Sequence, residues 1–189
     1  MLRQQLKLEI VIYIQIYLYF IYPIYSIWFA SHASYTMDNF SIVGNLEGMR
    51  VYFIIWALLC EFALGIGFHK CIHKSIHKKY LIPMLSMSSF MFLTSVLLPY
   101  LPKEYPILSE LHIMLSFVGL LSMLFIASMM IISLRMTYHI YPYDYFMVLI
   151  YGCSLGIYGA NYMSVNSLVE LFLGIMLPIY LYHLGDCLK

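Results

Sequence analysis

Charge is what this chain has least of. Only 10% of its 189 residues are Asp, Glu, Lys or Arg, against 63% that are hydrophobic; soluble domains carry about a quarter charged residues, so that class is excluded. No dense lysine and arginine surface is present, which sets nucleic acid aside as a partner. Cysteine is sparse and unpaired: Cys60, Cys71, Cys153 and Cys187 show neither the CxxC spacing of a metal knuckle nor a disulfide framework, and reduced thiols are expected. Glycine-rich phosphate loops, metal signatures and nucleophile motifs are missing as well. No cofactor or metal is therefore expected, and no reaction can be named from a motif.

What the chain does have is long apolar runs. Divided into segments of about 20 residues, the length needed to cross hydrocarbon, it predicts an all-α, polytopic membrane protein: one domain over 1–189, with six spans near 10–30, 51–68, 80–99, 111–134, 145–163 and 165–182. Pro23 is expected to kink the first span or start its outer end. Pro99 and Pro102 close the third, because residues before proline avoid helical geometry. Gly152, Gly156 and Gly159 form a small-residue face on the fifth, suited to close helix approach.

The basic residues orient the bundle. With six alternating spans, Arg3, Lys7, Lys70, Lys74, Lys78, Lys79, Arg135 and Lys189 fall on one side, and only Arg50 and Lys103 on the other. The positive-inside rule then places both termini in the cytoplasm. The repeat from His69 to Lys79 interleaves histidine and lysine, and reads as a collar for anionic lipid headgroups. Its lysines repel a cation, which argues against a metal on His69, His73 and His77 even though their spacing suits one helix face.

Candidate functional residues gather at the outer end. The stretch from Ser34 to Arg50 is the longest polar interruption of the chain and supplies Asp38, Ser41, Asn45 and Arg50; Glu110, His112, Asn161 and Glu170 stand near the outer ends of later spans. An unpaired charge is costly in such a setting, so Arg50 is expected to pair with Glu170 or Glu47. Carboxylate and imidazole suit zinc, and Asp38, His112 and Glu170 have that chemistry, but no spacing demands a metal. Glu61 is a separate case, a carboxylate at mid-span on a face with Ala57 and Gly65. It should be protonated, paired or functional, as a structural hydrogen bond or as a proton carrier.

Ser41-Ile42-Val43-Gly44 stands ahead of span two, Leu98-Pro99 after span three, His112 opens span four and Glu170 lies early in span six. Together these short elements resemble a prokaryotic membrane family known as domain of unknown function nine-nine-eight. Ile42 stands where that family favours an acidic residue, and Val169-Glu170-Leu171 lacks the arginine often found after the acid. The resemblance implies a six-helix protein of a prokaryotic plasma membrane and no established activity. The expected function is thus a non-enzymatic protein whose outward polar pocket, under the 31–50 loop, binds a lipid headgroup, small molecule or partner. Two alternatives stand beside it: a lipid hydrolase within the membrane, with or without a metal, using Asp38, Ser41 and His112, and a proton-coupled transporter using Glu61. Hydrolases of the alkaline ceramidase type carry paired histidines on a late helix. Here the last span holds only His183, at its cytoplasmic end.

Overall fold

Backbone amides in hydrocarbon have no water to bond, and a helix satisfies them within its own segment. The computed structural model of the chain describes residues 2–32, 34, 37–139, 141–160 and 166–188, and its regular structure is all helical among them. α1 (Leu2–Ile16) runs through a π-helical turn (Tyr17–Ile21) into α2 (Tyr22–Ala30). A short α3 (Phe40–Val43) follows, then α4 (Arg50–Ile72), α5 (Lys78–Leu97), α6 (Pro106–Tyr138), α7 (Tyr141–Ala160) and α8 (Ser167–Cys187). The π turn lies just ahead of Pro23, which has no N–H to offer the carbonyl four residues back. The break expected at this proline is thus a local widening of one rod.

Among the described residues, five helical segments are long and apolar enough to cross a membrane: Leu8–Ala30, Arg50–Ile72, Lys78–Leu97, Pro106–Tyr138 and Ser167–Cys187. The remaining expected span, 145–163, corresponds to α7, whose apolar part, Phe146–Ala160, is shorter. Its expected end falls in 161–165, outside the described residues. At its start, Asp144 pairs with Arg135 of α6 at 3.1 Å, so the first turn belongs to the polar connection and not to the apolar rod.

Two helix pairs carry the architecture. α5 packs along α6 and α4 along α8, while α4 against α5 joins the pairs; α2 and the π turn lie across α4 and α8, and α7 rests on α8. The close approach predicted for α7 lies elsewhere. No atom of another described element comes within 4 Å of where a Cβ would stand on Gly152, Gly156 or Gly159. On α4, by contrast, a Cβ at Gly67 would stand 2.9 Å from Leu181 Cβ and 3.0 Å from the Pro178 carbonyl of α8. Farther along the same seam, one at Gly185 would strike Lys70. The face expected to hold Glu61 is likewise divided, since Ala57 is buried and Gly65 opens outward.

At one end of the bundle, four aromatic rings interlock. Phe40 meets Trp56 edge to face at 4.4 Å and Phe29 at 5.4 Å, and Phe53 stacks on Trp56 at 5.9 Å. The Trp56 indole donates to Ser26 Oγ at 3.2 Å, giving its buried N–H a partner. At the other end, part of the His69 to Lys79 repeat is tied to α8. Lys70 pairs with Asp186 at 2.6 Å and lies over the Tyr182 ring, while Lys74 donates to the Gly185 and Leu188 carbonyls at 2.9 and 2.6 Å. Two lysines are thereby committed to the carbonyl end of α8, where positive charge is favoured. His69, His73, His77, Lys78 and Lys79 are exposed. The three histidines do not share one helix, because α4 ends at Ile72.

Candidate functional site

Polar side chains at the aromatic end do one job first: they fasten the segment around α3. Asn39 caps α3 by accepting from the Ile42 amide at 2.9 Å, and Asn166 caps α8 by accepting from the Val169 amide at 3.1 Å. The two capped helices are then tied to each other. Glu170 Oε2 accepts from the Phe40 amide at 2.6 Å, and both the amide and the hydroxyl of Ser167 donate to the Asp38 carbonyl at 2.7 Å. Farther along, Asn45 donates to the Ser41 carbonyl at 2.6 Å and accepts from the Tyr100 amide at 3.4 Å.

Ser41 faces His112 of α6, with Oγ 2.7 Å from Nε2. On the other side of the ring, Nδ1 lies 2.7 Å from the Ser95 carbonyl of α5. A carbonyl only accepts, so Nδ1 carries the proton and Nε2 presents its lone pair to the serine hydroxyl. His112 is 2% exposed, so its tautomer is set by protein groups rather than by bulk water.

Two cavities adjoin at Ser41. The more polar one, of about 250 Å³, is lined by Asn39, Ser41, Tyr100, His112, Ser116 and Glu170 together with the apolar Ile113, Phe117 and Leu120. An apolar one of about 130 Å³ runs inward past Trp56, Leu64, Phe92, Met123, Leu173 and Leu177. Ser41, Ser116, Leu120 and Glu170 line both. The space forms where the α5/α6 pair and the α4/α8 pair diverge.

Of the residues predicted from sequence, Ser41, His112 and Glu170 come together here, and Asn45 braces the segment from behind. Asp38 does not join them, because its carboxylate accepts from the Ser34 amide at 3.0 Å and its contribution is the backbone carbonyl. The expected pairing of Arg50 with Glu170 or Glu47 is not formed. Glu170 is held by an amide, and Arg50 donates to the Leu98 carbonyl at 2.9 Å while its guanidinium lies 5.8 Å from the Phe53 ring centre. The carbonyl end of α5 is a negative pole that replaces the carboxylate. Glu110 is exposed, and two residues along a helix turn the face by about 200°, so it points away from His112. Asn161 lies outside the described residues. Glu61 stands beside Ser89 of α5, its Oε1 is buried with no hydrogen-bond partner, and it lines neither cavity. Among the described residues, no three His, Cys, Asp or Glu side chains are grouped to hold a metal.

Sequence reasoning missed Asn39, Ser95, Tyr100 and Ser116. Ser116 stands one helical turn beyond His112, so the i, i+4 rule reaches it. The role of Ser95 is that of a backbone carbonyl, which no side-chain pattern reveals. No protein-family model matches the chain, and neither a curated protein nor a solved structure matches it.

Proposed function

We propose that this chain is a multi-pass membrane protein that binds an amphiphile, a lipid or lipid-like small molecule, in the two joined cavities. The observation that carries this reading is their adjacency: a chamber with polar groups on its wall lies beside a hydrocarbon-lined one, with Ser41, Ser116, Leu120 and Glu170 lining both, matching a headgroup followed by a chain. Kinship with the family of unknown function rests on its motif residues, and the meeting of Ser41, His112 and Glu170 around one chamber supports a common role for them. α7 completes a six-span bundle in a prokaryotic plasma membrane, with the Lys70 to Lys79 end and both termini in the cytoplasm and the chamber on the outer side. The exposed collar residues Lys78 and Lys79 meet anionic headgroups there.

A photoreactive lysophosphatidylcholine with a diazirine near the end of its acyl chain tests the binding. Cross-links are expected at cavity residues such as Met123, Leu173 and Leu177, mapped by peptide mass spectrometry. Leu120→Trp, which fills the junction, should lower them about tenfold, equivalent to about 1.4 kcal/mol of affinity. Cross-links confined to the outer surface of the bundle would refute the reading.

Orientation is tested by cysteine labelling with a membrane-impermeant reagent. Native Cys71 is unsuitable, since it is buried with Sγ 3.1 Å from the Leu181 carbonyl. Ile76 is 70% exposed and Glu104 is also exposed. In a background carrying Cys153→Ser and Cys187→Ser, Ile76→Cys should react only after the membrane is opened, and Glu104→Cys should react in intact cells. The reverse pattern would invert the topology.

A further inference from the structure

The amphiphile-binding reading leaves one arrangement unused. A cavity that only holds a lipid needs donors and acceptors, but it does not need a serine hydroxyl aimed at the lone pair of a histidine whose tautomer is fixed from behind. Ser41 Oγ lies 2.7 Å from His112 Nε2, and His112 Nδ1 lies 2.7 Å from the Ser95 carbonyl. A nucleophile, a base within hydrogen-bond reach and a third group orienting the base make up the arrangement that activates serine, here with a backbone carbonyl as the orienting group. Its position adds a second, independent argument. Ser41 lines both cavities, so it stands where the headgroup of an amphiphile gives way to its chain, and in an acyl lipid that place is taken by the ester carbonyl.

We propose that Ser41 and His112 form a catalytic pair that cleaves acyl esters of lipids, an inference that rests on the amphiphile-binding reading above. Ser41 Oγ attacks the carbonyl carbon as its proton passes to His112 Nε2, and a C–O bond to the serine forms. Collapse of the tetrahedral intermediate breaks the bond to the alcohol portion, which leaves with the proton from His112. Water, deprotonated by the same Nε2, then attacks the acyl-serine, releases the fatty acid and restores the Ser41 hydroxyl. The positive charge that His112 carries between these transfers is stabilised by the Ser95 carbonyl. Donors for the oxyanion come from the same chamber. Asn39 has its oxygen committed to the Ile42 amide, leaving its NH₂ group to donate, and Tyr100, whose side chain carries a hydroxyl donor, lines the same chamber. Neither Asp38 nor a metal takes part, which distinguishes this pair from the metal-assisted alternative.

The pair also has a purely structural alternative, in which the Ser41–His112 bond only clips α3 to α6. A fluorophosphonate with a long alkyl chain separates the two, applied to the full-length protein in phosphatidylcholine nanodiscs. The expected result is one covalent adduct per chain, mapped to Ser41. In His112→Gln, which keeps hydrogen-bonding capacity but cannot act as a base, the labelling rate should fall at least about 100-fold. Turnover should follow the same order, with 4-nitrophenyl decanoate cleaved faster than the acetate because only the former fills the apolar cavity. An unlabelled Ser41 in the wild-type protein, or labelling equally fast in His112→Gln, overturns the proposal. The wild-type arm stands whether or not a variant folds. The photoreactive lysophosphatidylcholine, applied to the same preparation, keeps the two readings apart: cavity cross-links without a Ser41 adduct overturn the catalytic pair alone, and absent cavity cross-links overturn the binding reading on which it rests.

Discussion

Trp56→Ala is expected to lower the stability of the folded bundle by roughly 3 kcal/mol, at the lower end of the range for removing a large aromatic side chain from a core. The lower end applies because of the solvent. In a bilayer the separated helices already bury their side chains in hydrocarbon, so the transfer part of the usual cost vanishes and the cavity part remains. That part is large at this position. Trp56 touches the rings of Phe29, Phe40, Phe53 and Phe92 and lines the apolar cavity, so its removal adds to a space already present. The substitution also leaves Ser26 Oγ without its indole donor. Thermal unfolding in a fixed detergent, compared with Trp56→Phe, provides the measurement. Phenylalanine should recover most of the loss, and equal losses for Ala and Phe would mean that the hydrogen bond, not the packing, matters.

Gly67→Ala is the second large effect, expected to cost about 1–3 kcal/mol, the usual price of overpacking a close contact. The new methyl would meet the Pro178 carbonyl at 3.0 Å, and a backbone atom cannot rotate away as a side-chain end can. Separation of α4 and α8 would follow, and with it the loss of the seam that Lys70 and Lys74 close at the far end. Gly156→Ala is the informative control. It has open space around it, so it should be neutral or stabilising by at most about 0.5–1 kcal/mol through helix propensity. Unfolding midpoints for the pair read the contrast directly. Similar losses at both positions would imply that the α7 glycine face packs against something outside this chain.

That contrast also shows how far the sequence could be read. Apolar run length and the proline punctuation predicted helices close to those observed, because hydrocarbon leaves the backbone almost no alternative. Which helix faces touch was not legible. Gly152 and Gly156 have the spacing of a contact face, yet spacing cannot tell whether a neighbour is present, while Gly67 and Gly185 lie on different helices and belong to no local motif. The site divides along the same line. Ser41, His112 and Glu170 were identifiable as polar residues that an apolar environment tolerates only with partners. Arg50 was assigned a carboxylate because sequence displays side-chain charges and hides the carbonyl pole at the end of α5, which is what Arg50 found. Asp38 likewise contributes its main-chain carbonyl, which a reading of side chains does not display.

The tethered segment from Asp38 to Asn45 has one more implication. Its bonds to Glu170, Ser167, His112 and Tyr100 fix it along one wall of the chamber, while Ile113 and Phe117, which also line it, are 50% and 55% exposed on the flank of α6. For the amphiphile proposed above, entry is then expected sideways, through this flank, rather than from the aqueous phase. Its effective dose would be its mole fraction among neighbouring lipids, and two compounds of equal intrinsic affinity would differ in potency by how strongly each partitions into the leaflet.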